Sequence, residues 1–173
     1  PPADAVVRGG SYAGTVSGDV ARFTVVYDIE ALKKGWSEVV LPLKGVALEK
    51  VQLSSPDALF RAKGEEYSVL LRQPGSCELR AEFSARVQQE PGKKTVAFQM
   101  PPTAVSRLEL TIPEADVRVE VRPMLAVTQT TTAENATKVL AFLGNSSDLS
   151  VSWMPPVGKA EDGALVFAKQ YIS

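Results

Sequence analysis

The sequence contains no histidine. That removes the commonest general base, the commonest metal ligand and the side chain that titrates near neutrality. A Ser-His-Asp or Cys-His triad within the chain is excluded. The single cysteine, Cys77, leaves no internal disulfide and says little about redox compartment. A zinc site would need that thiol plus carboxylates, a poor donor set. No apolar run approaches the roughly 20 residues of a membrane-spanning helix. An excess of one charge is missing too. Nineteen Lys and Arg face 20 Asp and Glu, for a net charge of -1. Nothing marks the chain for nucleic acid, since Lys33–Lys34 and Lys93–Lys94 are doublets beside turns and read as solvated. A phosphate-binding glycine loop is also absent: "RGGSYAG" lies in a strand and hairpin context, not before a helix.

What is present is alternation. The chain has 173 residues, 45% of them apolar, enough for a buried core without a staple. "RFTVVYDIE" sets Phe23, Val25, Tyr27 and Ile29 on one face and Arg22, Thr24, Asp28 and Glu30 on the other. Ser17-Gly18-Asp19 reads as the hairpin turn before it. "ALKKGW" reads as a short turn. "SEVVLPLKGVALEKVQL" gives two strands around Lys44–Gly45. Pro42 places the first at an edge or a bulge, because proline cannot donate to a ladder. In the second, Val46 and Leu48 share one parity and Val51 and Leu53 the other, which a bulge near Glu49–Lys50 would repair. "DALFRAKGEEYSVLLR" reads as strand, turn, strand, and "QPGS" and "QEPGKKT" are turns. Further alternation runs through Val96, Phe98 and Met100; Leu108, Leu110 and Ile112; Val117, Val119 and Val121; and Leu149, Val151 and Trp153.

About a dozen strands at this spacing, with little or no helix, indicate an all-β antiparallel sandwich. "AENATKVLAFLG" is the one stretch with helical spacing. A strand pairing with "DLSVSW" across "GNSS" suits its surroundings better. Pro123 is the most plausible internal boundary, since "TQTTTAENAT" after it is poor in apolar residues. The chain is expected to be one sandwich domain over 1–173 or a piece of a longer protein, and the start at Pro1–Pro2, as if after a removed leader, with the apolar end "ALVFAKQYIS" favours the second.

The densest charge pattern is "CELRAEFSARV". On a strand, Glu78 and Glu82 stand about 13 Å apart, too far to cooperate as a hydrolytic pair. Arg80 between them favours their ionised forms, whereas a general acid needs its pKa raised. The solvated face of a strand explains every residue. Cys77 shares parity with Leu79, Ala81, Phe83, Ala85 and Val87, so it belongs to the buried face as a small hydrophobe. No base lies nearby in sequence to make it a nucleophile.

Aromatics offer the best route to a binding function. Trp36 lies off the parity of Val39, Leu41 and Leu43. Exposed, it would stack on a sugar or anchor a protein; otherwise it closes the end of the core, the favoured reading because large aromatics usually pack. Trp153 reads as core. Tyr12, Tyr67 and Tyr171 are not separable from one another, and Tyr12 joins Trp36 as a candidate ligand contact. Loop acids Glu114 and Asp116, and Glu161 and Asp162, form no recognised calcium loop, and no cofactor or metal is expected. Asn135-Ala-Thr and Asn145-Ser-Ser match a glycosylation acceptor that matters only in a secreted eukaryotic protein.

The run "YAGTVSGDVARFTVVYDIEALKKGWSEVVLPL", with "YSVLLRQPGSCELRAEFSARV", "SRLELTIP" and "DLSVSWMPP", resembles the opening of large exported bacterial β-repeat proteins of unknown role. The likeness lies in turn and strand patterns across most of the chain. It implies a periplasmic or cell-surface setting and stacked β domains, and it carries no site residue. The expected function is a non-catalytic structural or adhesion-type module. Its partners would be neighbouring domains of the same chain or envelope proteins, without nucleic acid or membrane insertion. A carbohydrate-binding module that takes a glycan is the alternative, and an accessory domain of a larger secreted enzyme is the second.

Overall fold

The computed structural model describes residues 4–156. Pro1, Pro2, "AEDG", Tyr171 and "ALVFAKQYIS" lie outside the described residues. Among the described residues every regular element is a strand.

The first hairpin joins β1 (Ala5–Ser17) to β2 (Val20–Ala31). Its two-residue turn needs a backbone of positive φ, which Gly18 supplies at 64°. Then come β3 (Ser37–Leu41), β4 (Ala47–Leu53), β5 (Ala58–Lys63), β6 (Glu66–Leu71), β7 (Gly75–Glu90), β8 (Lys93–Gln99) and β9 (Val105–Ile112). β10 (Arg118–Arg122), β11 (Ala126–Thr131), β12 (Thr137–Leu143) and β13 (Asp148–Met154) complete the order.

Ten strands form one sheet in the order β10-β13-β8-β7-β2-β1-β9-β12-β11, with β4 also paired to β7. The long β7 changes partner along its length. Residues 79–84 pair with β4, and Val87–Glu90 pair with β8. This turns β8, β13 and β10 over the inner face of β1, β2 and β7. Phe98 of β8 then meets Phe23 and Phe83 at centroid distances of 5.4 and 5.2 Å. The two ends of the sheet approach one another. Gln129 Nε2 donates to the Val117 carbonyl at 2.8 Å, and Thr131 Oγ1 donates to Asp116 at 3.2 Å. The result is a nearly closed, sandwich-like barrel. A separate sheet has the order β3-β6-β5.

Inward positions carry the alternation. Phe23, Val25, Tyr27 and Ile29 are all buried, as are Val96, Phe98 and Met100 and also Leu149, Val151 and Trp153. The aromatics fit because glycines make room. Gly14 and Gly10 of β1 face Phe23 and Tyr27 of β2 in register. A Cβ on Gly14 would stand 2.5 Å from the Phe23 ring. Small and large residues thus interdigitate across one strand pair.

Four details differ from the sequence reading. The sheets are not wholly antiparallel, because β1 and β9 run parallel from Gly9↔Val105 to Thr15↔Thr111. β12 is a strand, but it pairs with β9 and β11, while "DLSVSW" pairs with β8 and β10. Pro42 stands just past β3 rather than inside it, although β3 is the edge strand that the proline called for. Trp36 does not close the core; half of its surface is exposed, at 51%. The bulge in β4 falls where the parity slip requires it, between Leu48 and Lys50.

Candidate functional site

The three-stranded sheet buries one face and leaves apolar groups on the other. Val39, Leu41, Val69 and Leu71 point inward and are buried. The registers Glu38↔Leu70↔Leu59 and Val40↔Ser68↔Arg61 define two outer rows. Trp36 shares the parity of Glu38 and Val40 and extends that face beyond the start of β3. Val40 is 49% exposed and Leu59 55% exposed, and Leu70 between the edge strands is half-buried. Leu32, also exposed, lies before the same turn. This is a sheet with apolar side chains on both sides, which single exposed residues would not make.

One ion pair crosses this face. Arg61 Nη2 donates to Glu38 Oε2 at 2.7 Å. The Ser68 hydroxyl and then the Arg61 guanidinium hold the Glu38 carboxyl below its ordinary pKa. The pair fixes two charges on each other and leaves the face close to neutral. It supplies hydrogen-bonding groups on the same face as an exposed indole.

The two candidate aromatics are not brought together. Tyr12 is buried in the main core, where its ring lies 5.9 Å from Phe98 and 5.7 Å from Tyr27. It presents no surface to a ligand, because its place in the middle of β1 points it inward between Gly10 and Gly14. Tyr67 is half-buried and stacks on Phe60 at 5.9 Å. Trp36 is therefore the only aromatic on the outer face of this sheet among the described residues.

Among the described residues, the acids considered for other chemistry have structural partners. Glu114 Oε2 accepts hydrogen bonds from Trp153 Nε1 and from Lys94 Nζ, each at 3.2 Å. It satisfies the indole donor of a buried tryptophan. Glu78 pairs with Arg80 at 3.7 Å, and Glu82 with Lys50 of β4 at 4.0 Å. Cys77 is buried, with its sulfur 3.8 Å from the Ser54 hydroxyl. No group of three or more potential metal ligands converges among the described residues. An open polar hollow on the β7-β8-β13-β10 face has a floor where the Thr95 and Ser152 hydroxyls satisfy each other at 2.9 Å.

The chief residues that sequence reasoning missed are Glu38, Arg61 and Leu59. Parity relative to Trp36 marks Glu38 and Val40 as its neighbours, but the partner strand is needed to add Leu59 and Arg61.

No family model matches the sequence, and no curated relative does so significantly. Solved structures share the fold. An M1 zinc metallopeptidase from Deinococcus radiodurans superposes with a TM-score of 0.59 at 16% identity, over 88% of this chain and 42% of that one. A putative nutrient binding protein from Legionella pneumophila gives 0.61 at 10% identity, over 88% of this chain and 67% of that one. Native leukotriene A4 hydrolase from Saccharomyces cerevisiae gives 0.52 at 13% identity, over 87% of this chain and 29% of that one. The chain thus spans less than half the length of the two enzymes. These likenesses are of fold, shared with portions of larger proteins.

Proposed function

We propose that this chain is a non-catalytic β domain of a larger exported protein, and that it works by docking a neighbouring domain of the same polypeptide. The docking face is the outer side of β3-β6-β5. The observation that carries this reading is the exposed row of Trp36, Val40 and Leu59 around an internally neutralised Glu38–Arg61 pair. An aromatic anchor amid aliphatic contacts and a satisfied charge pair suits a largely apolar protein surface. A glycan platform uses several exposed aromatics, and among the described residues this face has one. The share of the peptidase chains that is matched supports the reading as one domain among several. The periplasmic or cell-surface setting rests on the sequence resemblance and belongs to the same proposal.

Hydrogen exchange compares the chain alone with the chain inside its full polypeptide. The amides of residues 36–40, 59–61 and 66–71 should exchange more slowly in the longer protein, and Trp36→Ala should reverse that protection. Unchanged exchange over these strands overturns docking. Glycan binding abolished by Trp36→Ala would replace it with the carbohydrate reading.

A further inference from the structure

The sheet edges differ in how they are defended. An open strand edge presents unpaired N–H and C=O groups, and folded proteins blunt such edges with charge, proline or bulges. β3 carries Glu38 and runs into Pro42. β4 carries Glu49 and Lys50 and a bulge. β5 carries Arg61 and Lys63, and β10 carries Arg118, Glu120 and Arg122. β11, "AVTQTT", ends the ten-stranded sheet with no charge, no proline and no register shift. Its burial pattern is open over most of its length. The contacts of Gln129 and Thr131 with the opposite layer use side chains, so the outer backbone edge has no partner among the described residues.

Beside that edge lies exposed apolar surface. Met124 and Leu125 precede β11, and Leu140 and Phe142 stand on the outer face of β12, all between 46% and 73% exposed. Phe142 lies opposite Ala126 in register. A methyl group there leaves the ring free to reach across to a further strand.

The geometry points to a second copy of this chain as the occupant, paired antiparallel through β11 about a two-fold axis at Thr128. In an isologous contact each residue on the axis meets its own mate, so a charged edge sets like charges against each other. Of the open edges described, β11 alone avoids this. Centring on Thr128 keeps inward and outward faces matched across the new ladder. It sets Ala126 opposite Thr130 of the second copy and brings each Phe142 ring toward that threonine's methyl group. The net charge of -1 opposes association little. The contact is separate from the β3-β6-β5 face and does not depend on its docking role.

Sedimentation equilibrium of the chain tests this, with the amide exchange of β11 as a second readout. A dimer is expected, with slowed exchange across 126–131 as concentration rises. Thr128→Lys should weaken association at least about tenfold while far-UV circular dichroism and the thermal midpoint stay near the parent values. Thr24→Lys, on the exposed side of β2, and Trp36→Ala should leave the dimer intact. A monomer at every concentration overturns the proposal. So does a dimer that Thr128→Lys does not weaken, or one without protection of β11.

Discussion

The Tyr27 hydroxyl donates to the Tyr12 hydroxyl at 2.9 Å inside the core, with the two rings edge to face at 79°. The two phenols are among the largest fully buried side chains. Each is the other's polar partner in an otherwise aromatic and aliphatic layer. Tyr27→Phe keeps the ring and leaves Tyr12 with a buried hydroxyl and no donor to it. The expected cost is about 1–3 kcal/mol by urea unfolding, the range for orphaning a buried polar group. The double change to phenylalanine at Tyr12 and Tyr27 should cost less than the sum of the single changes, because it removes both polar groups together.

The same pair sets an alkaline limit. Burial raises both hydroxyl pKa values above the ordinary tyrosine value, and for Tyr27 the nearby Tyr12 raises it further. A raised folded pKa means that the native state keeps its protons while the unfolded chain loses them. This contribution is therefore fully present below the unfolded pKa of about 10 and is lost as pH rises above it. The thermal midpoint should fall above about pH 10, and the double phenylalanine variant should fall less steeply over the same range.

Gly14 is a steric prediction. A methyl group there would meet the Phe23 ring at 2.5 and 2.6 Å and the Arg22 carbonyl at 3.1 Å. Phe23 cannot swing aside freely, since Phe83 and Phe98 each stand 5.4 Å from it by centroid. Gly14→Ala should destabilise by about 1–3 kcal/mol, the usual cost of overpacking a core. Phe98→Ala opens the opposite defect and should cost about 3–5 kcal/mol. Equilibrium urea titration measures both.

Glu38 gives the acid limb. Its folded pKa is lowered by Ser68 and then Arg61, so its contribution is present above the ordinary carboxylate value. It is lost as pH falls through the folded value. Glu38→Gln should lower the thermal midpoint slightly at pH 7, and the difference should vanish in acid. The effect is small because solvent screens an exposed pair.

Much of this fold was legible because a strand with one wet face writes its period directly into the sequence. Phe23 to Ile29 and Leu108 to Ile112 are buried as their alternation requires. The bulge in β4 was legible for the same reason, since one extra residue flips parity. Pairing was not. A strand alternates in the same way whether its neighbour is parallel or antiparallel, so β1 beside β9 left no mark. The partner of β12 was set by the curl of the sheet rather than by the short "GNSS" loop. At the candidate site, parity took Trp36 off the core face, but the preference of large aromatics for packing outweighed it. The service of Glu114 to Trp153, 39 residues away, has no local signature at all.

The parallel pairing of β1 with β9 also orders events during synthesis. β1 gains its hairpin partner by residue 31, yet its other edge waits for residues 105–111. Closing so long a loop costs entropy before any contact rewards it, and such pairings form late. A polypeptide synthesised only as far as about residue 100 therefore carries the core-lining β1–β2 hairpin with one flank bare, where premature pairing with another chain competes with folding. Pulse-labelled exchange during refolding should show the amides of β2 protected before those of β9.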